Sequence, residues 1–357
     1  MTGAVILMPT YPAPPPIAPL IHTRPRPFWS VMIPSYNRNP YLEGTLASVL
    51  EQDPGPEEMQ IAVVDDASTR DDPEPLVRRL GGDRVTFIRQ PRNLGQFANL
   101  NSCIQTAEGY WVHILHSDDL ALPGFYATLK GALASRDDIG AAYCRSGTIG
   151  ENGAWLRNSV SESSTPGILP GFLSRIAVTN RIQTPSIVVR RRVYEKLGGF
   201  RLDLPYAADW EMWIRIAAHY PIWYEPATLA AWRVHSESWS ALNVRSGQNI
   251  ADLRRCVEVS RSLLPAALAP ALSRKAKDQV ARVAVSGTFR ALLARDLHTA
   301  FRQAREALRC DMSWRPVIRT LLFLPFRLVG EPLRRRRAAG RRQTARERGG
   351  IERTGCQ

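Results

Sequence analysis

The chain has 357 residues, 44% of them apolar, and a formal net charge of +14. That length suits one large domain with an appendage, or two domains, and no apolar run reaches the roughly 18–20 residues needed to span a bilayer. Five widely separated cysteines show neither metal-ligand spacing nor a disulfide framework, and the apolar run at 4–8 has no preceding basic residue and meets Pro9 at once. These features argue against a secretory signal and for a reducing, cytoplasmic compartment.

Residues 1–27 contain eight prolines and are expected to form an extended, disordered leader. A buried strand at 31–33 then ends on the turn residues Pro34, Ser35, Tyr36 and Asn37. A helix follows with Leu42, Leu46, Val49 and Leu50 on one face, stopped by Asp53-Pro54-Gly55-Pro56. A second strand at 61–64 ends on Asp65 and Asp66; a helix around 73–80 and a third strand at 85–89 come next. Asn93-Leu94-Gly95 opens a helix running to about residue 107. The stretch 110–124, YWVHILHSDDLALPG, begins as a fourth strand and ends on the adjacent carboxylates Asp118 and Asp119. This alternation predicts an α/β fold with a mostly parallel sheet and helices on both faces, joined by right-handed crossovers.

Parallel strands place their carboxyl ends on one edge, where open α/β folds bind ligands. The exits at Tyr36-Asn37, Asp65-Asp66 and Asp118-Asp119 therefore converge. Two neighbouring acids repel, and a divalent cation between them and a phosphate would relieve that repulsion. Local physics alone leaves plainer readings open: Asp65 and Asp66 suit a turn, Asp119 and Asp209 suit helix caps, and His235 suits a packed histidine.

Beyond residue 124 the pattern predicts a helix at 125–135, a strand at 141–144, loops with short antiparallel strands over 145–180, a strand at 186–189 and a turn at 197–200. Trp210, Trp213, Ile214 and Ala217 share one face of a helix that begins at Ala208-Asp209. Segments 248–263, 270–295 and 298–309 have helical periods and read as a small appendage. An apolar segment with interspersed arginines follows at 317–329, too short and too charged to span a bilayer. From 331 to 357 there are nine Arg against three Glu. Residues 317–348 are compatible with peripheral contact at a membrane interface, or with a packed helix and a solvated tail.

Seven motifs in order resemble the family 2 glycosyltransferases, the large inverting family with the GT-A fold: VMIPSYN at 31–37, IAVVDDAS at 61–68, NLGQFANLN at 93–101, LHSDD at 115–119, GGFR at 198–201, ADWEMWIR at 208–215 and WRVH at 232–235. The resemblance covers roughly 28–240 and implies a GT-A domain there; helical periodicity gives an appendage at 241–330 and composition an Arg-rich tail at 331–357. It implies a nucleotide-diphospho-sugar donor, Mg²⁺ or Mn²⁺, and a glycan, lipid-linked or protein acceptor, with no specific nucleic acid. On this resemblance Pro34, Tyr36 and Asp66 line the base pocket, Asn37 is a further donor-binding residue, Asn93 and Gly95 lie near the nucleotide or diphosphate, and Asp118 and Asp119 take the metal, Asp119 foremost. Asp209 matches the catalytic base and His235 a position near the diphosphate or metal.

Two departures stand out. His116 occupies a position where the family often has Asp, and Ala208 replaces the Glu of a usual Glu-Asp pair; Glu211 is a second candidate base. A dinucleotide oxidoreductase would need a glycine-rich turn after its first strand, and a P-loop enzyme a GxxxxGK[ST]; neither is present. The alternative is a non-catalytic protein that binds a nucleotide-sugar, a membrane or nucleic acid through its basic tail.

Overall fold

The computed structural model describes residues 11–21, 25–37 and 39–310. The first half alternates strand and helix: β1 (Trp29–Ser35), α1 (Asn39–Leu50), β2 (Met59–Asp65), α2 (Glu74–Gly81), β3 (Thr86–Arg89), α3 (Gln96–Thr106) and β4 (Trp111–Ile114). β1 lies between β2 and β4, parallel to both, and β2 runs parallel to β3. The two-residue side-chain period sorts these strands onto two cores. Val31, Ile33, Ile61, Val63 and Trp111 pack with Leu42, Leu46 and Val49 of α1. Met32, Ala62, Val64, Val112 and Ile114 pack on the other face with Phe97, Leu100, Cys103 and Ile104 of α3.

The second half is mixed. It comprises β5 (Leu120–Ala121), α4 (Phe125–Leu133), β6 (Ala141–Ile149), β7 (Trp155–Asn158), β8 (Gly167–Ile168), α5 (Phe172–Ile176), β9 (Ile187–Arg190), α6 (Arg191–Leu197), α7 (Ala208–His219) and β10 (Ile222–Arg233). The sheet order is β3-β2-β1-β4-β9-β6-β10-β5, with β7 on β6 and β8 on β10. β9 runs antiparallel to both β4 and β6, whereas β10 runs parallel to β6. Parallel pairing thus holds for the first four strands and gives way to a mixed sheet beyond β4. β10 has no counterpart among the predicted strands. Its register on β6 slips between Glu225 and Ala230, and this irregularity accommodates Pro226, which cannot donate to a ladder.

Four helices close the described chain: α8 (Trp239–Ser246), α9 (Gln248–Val259), α10 (Ala269–Leu293) and α11 (Leu297–Cys310). Ile250, Cys256, Val257, Leu272 and Val280 join the same buried cluster as Trp210, Trp213 and Ile216 of α7. These helices therefore share a core with the sheet.

The expectation of a disordered leader fails for residues 11–21. Ile17 is buried in the α3 core. The Gly199 amide donates to Pro15 O at 2.8 Å, and the Arg191 guanidinium donates to Ala18 O at 3.3 Å. Gly198, at φ +82°, would bring a Cβ to 2.9 Å from Pro15 O, so the glycine pair lets this strap approach. Proline stiffening lowers the entropy lost when an extended segment docks, and one buried Ile then suffices as an anchor. The segment 317–348 and the tail at 331–357 lie outside the described residues.

Candidate active site

The exits of β1, β2 and β4 and the start of α7 open onto one cleft of about 960 Å³. Pro34, Tyr36, Asp66, Asn93, Gly95, His116, Asp118 and Asp209 all line it. Residues separated by more than a hundred positions in the chain are thus brought together by the parallel register of the strands.

At the β1–β2 corner Tyr36 is 41% exposed and faces the cleft. Asp66 is buried, and its two oxygens accept from the Leu94 and Gly95 amides at 2.7 and 3.0 Å. Burial pushes its pKa up against the pull of those two amides. Asn93 Oδ1 accepts from the Gly95 amide at 3.1 Å, and Gly95 holds a φ of +88°. Asn37 departs from expectation. It does not line the cleft; its carboxamide oxygen accepts from the Thr69 and Arg70 amides at 2.9 and 3.0 Å, and its own amide donates to Ser68 Oγ. Its left-handed backbone, φ +53°, suits Asn. Asn37 therefore ties the exit of β1 to the loop after β2 and sets where Arg70 stands.

A second corner gathers His116, Asp118, Asp119 and His235. Asp119 is fully buried. Its Oδ1 accepts from the Arg233 amide at 2.9 Å, and its Oδ2 accepts no hydrogen bond, the nearest cationic group being His116 Nδ1 at 3.6 Å. Arg233 Nε donates to Asp118 O at 2.9 Å, so the end of β10 pins both acids. His235 Nε2 lies 3.0 Å from Asp118 Oδ2, and its ring is tilted against Tyr41 at 4.9 Å. Burial and the neighbouring Asp118 raise the Asp119 pKa, opposed by His116 and the Arg233 amide. For His116, burial disfavours protonation, but Asp119, Asp118 and Asp209 outweigh it and raise its pKa.

Ligand atoms of His116, Asp118 and Asp119 all fall within 4.8 Å of one another. Asp119 Oδ2 and His116 Nε2 are buried atoms with no hydrogen-bond partner. Buried polar atoms are rarely left unsatisfied, and this donor set of two carboxylates and an imidazole fits a divalent cation.

Asp209 lines the same cleft from the first turn of α7. Its Oδ1 accepts from the Trp210 amide at 2.7 Å, and its Oδ2 accepts from Asn180 Nδ2 at 3.3 Å. Burial pushes its pKa up to about 6. It is near enough to His116 for their charges to interact. Glu211 is corrected here: it is absent from the cleft lining, it is buried, and both its oxygens accept from the Arg215 guanidinium at 2.9–3.3 Å. Facing away from the cleft and bound in an ion pair, it is unsuited to take a substrate proton.

Several lining residues escaped the sequence reading. Asn180 comes from an irregular loop with no periodicity to mark it, and its Oδ1 accepts from the Ile182 amide, which leaves Nδ2 directed at Asp209. Arg70 and Glu237 both line the cleft and approach to 3.8 Å. Trp239, on α8, lines the cleft with its indole N–H held by Pro205 O.

The family model described as glycosyl transferase family 2 matches residues 30–198. An uncharacterized protein of Mycobacterium tuberculosis is 28% identical over 242 residues, covering 64% of this chain and 74% of that protein. An uncharacterized glycosyltransferase of Rickettsia felis is 26% identical over 217 residues, covering 60% of this chain and 35% of its own length, so the chain spans only about a third of that relative. Among solved structures, the mannosyltransferase of Pyrobaculum calidifontis, in complex with GDP-Man and Mn²⁺, superposes with a TM-score of 0.50 at 21% identity, covering 83% of this chain and 89% of that one.

Proposed function

Because this chain is a family 2 glycosyltransferase with the GT-A fold, we propose that the cleft transfers a sugar from a nucleotide-diphospho-sugar to an acceptor hydroxyl by a single inverting displacement. The observation that carries this reading is the placement of Asp209, with its raised pKa, in one cleft with His116 and Asp118 of the His116–Asp118–Asp119 corner. Tyr36, Pro34 and Asp66 form the base pocket, with Asn93 and Gly95 beside the nucleotide. Asp66 keeps a lone pair on each oxygen for the base after binding the Leu94 and Gly95 amides.

The Asp209 carboxylate accepts the proton of the acceptor hydroxyl as that oxygen forms its bond to the anomeric carbon. Asn180 holds the carboxylate in place. The bond from the anomeric carbon to the diphosphate oxygen breaks in the same displacement, and the electron pair leaves with the diphosphate. That charge is released at the corner where Asp118, Asp119 and His116 would hold Mg²⁺ or Mn²⁺. When bound, such a cation neutralises the developing charge on the leaving diphosphate. His235 braces Asp118 at this corner.

The acceptor is a glycan, a lipid-linked glycan or a protein, and assembly of cell-surface polysaccharide is the setting we favour. Among the described residues no helix is long and apolar enough to cross a membrane. The apolar and arginine-rich composition of 317–348 supports work at the cytoplasmic side, in peripheral contact with the inner face of a membrane.

A thermal-shift screen against UDP-, GDP- and dTDP-sugars, with and without Mn²⁺, tests the reading. One donor class is expected to raise the melting temperature in the presence of Mn²⁺, because a ligand bound only by the native state stabilises it. The same donor is expected to give little shift with Asp119→Asn. Equal shifts in both proteins, or none with any donor, would remove the metal corner from the account.

A further inference from the structure

α11 is fastened to the molecule by one face. Thr299, Ala300, Gln303, Glu306 and Ala307 are buried there, and Gln303 Nε2 donates to Val244 O and Asn249 Oδ1 at 2.7 and 2.8 Å. The outward stripe is not the polar surface such a helix ordinarily presents. Leu297, Phe301 and Leu308 are 70%, 70% and 62% exposed. At 3.6 residues per turn their side chains fall within about 40° of one another around the helix axis. Leu292 and Leu293, also exposed, extend the apolar surface through the turn from α10.

Among the described residues the exposed charged side chains beside this stripe are cationic. Arg295 stands in the turn, and Arg302, Arg305 and Arg309 follow one flank of α11, all exposed. The two acids among the described residues here are engaged: Asp296 accepts from the amide and hydroxyl of Thr299, and Glu306 is buried against Arg309 and Arg254. An exposed apolar stripe edged by arginines is the pattern of a helix that lies in a bilayer interface, its apolar side chains at the headgroup–acyl boundary and its cations on anionic headgroups. Charge decides against two other occupants. The following segment, 311–330, carries Arg315, Arg319 and Arg327 against the single acid Asp311, and a second copy of this face would bring the same arginines.

We propose that the α10–α11 turn and the outer face of α11 form a docking surface for an anionic lipid bilayer. The inference gives a described surface to the peripheral membrane contact proposed above and rests on that placement, not on the chemistry of the cleft.

Co-sedimentation of the full chain with phosphatidylglycerol-containing vesicles and with pure phosphatidylcholine vesicles tests it. The wild type is expected to partition onto the anionic vesicles, weakly onto the neutral ones, and less as salt is raised. The double variant Leu297→Glu/Phe301→Glu is expected to lower partitioning by about tenfold or more with its melting temperature and donor-induced thermal shift kept, because the altered side chains face water. Arg302→Glu/Arg305→Glu is expected to lower only the anionic component. Unchanged partitioning of both variants would assign membrane contact to another segment and overturn this surface, while leaving peripheral attachment intact. No partitioning of the wild type would overturn both. A wild-type dimer in sizing experiments that becomes monomeric with Leu297→Glu/Phe301→Glu would identify the face as a self-interface instead.

Discussion

Asp209→Asn is expected to lower kcat by about 10²–10⁴-fold, the range that a positioned general base contributes. Donor affinity is expected to hold, because Asp209 is given no part in the base pocket or the carboxylate corner. Asn keeps the size of the side chain but cannot accept the hydroxyl proton. The pH dependence supplies an independent check. Burial holds the Asp209 pKa at about 6, and the active form is the ionised one. Activity is therefore present above that value and lost as pH falls through it, giving kcat/KM an acid limb near pH 6. The residual rate of Asp209→Asn should lose the part of that limb due to Asp209, leaving only what protonation of the Asp119–His116 corner adds. Steady-state rates across pH for both proteins decide the matter; a variant with the wild-type rate and limb would place the proton acceptor elsewhere.

Glu211→Ala is expected to destabilise the fold by about 3–5 kcal/mol, the usual cost of leaving one member of a buried ion pair alone. Arg215 is buried, and its guanidinium donates to both Glu211 oxygens and to the carbonyls of Leu197, Gly198 and Gly199. Removing Glu211 strands that charge inside the protein and loosens the glycine pair on which residues 11–21 dock. Denaturant unfolding measures the loss. The acid limb of the surviving native enzyme should not move. Two acids only two positions apart in the sequence thus separate cleanly, one acting on stability and the other on turnover.

That separation marks where local sequence stops being informative. β1 to β4 were legible because each is a short run of apolar residues ending on turn formers, and parallel pairing then placed Tyr36, Asp66, His116 and Asp118 on one edge. The side on which α7 shows Asp209 and hides Glu211 depends on Arg215 reaching three carbonyls in another loop, a tertiary fact. Asn37 looked like a site residue because it closes the strand exit; its left-handed backbone instead turns the carboxamide onto the next loop. β10 was missed because Pro226 interrupts its pattern, and a bulge absorbs the interruption. The cost is large, since β10 delivers Arg233, whose amide and guanidinium hold both Asp119 and Asp118. Residues 11–21 read as disordered by composition, yet Ile17 and an approach permitted by Gly198 and Gly199 dock them. Asn180 carries no periodic signal, and its significance appears only when Asp209 lies opposite it.

The measurement that bears most directly on the central claim is the anomeric configuration of the first-formed product, read by proton NMR from a nucleotide-diphospho-α-sugar donor. A hydroxyl deprotonated by Asp209 and attacking opposite the diphosphate must yield the β-anomer. An α-configured product would mean that transfer runs by another route and that Asp209 does not have the role assigned to it.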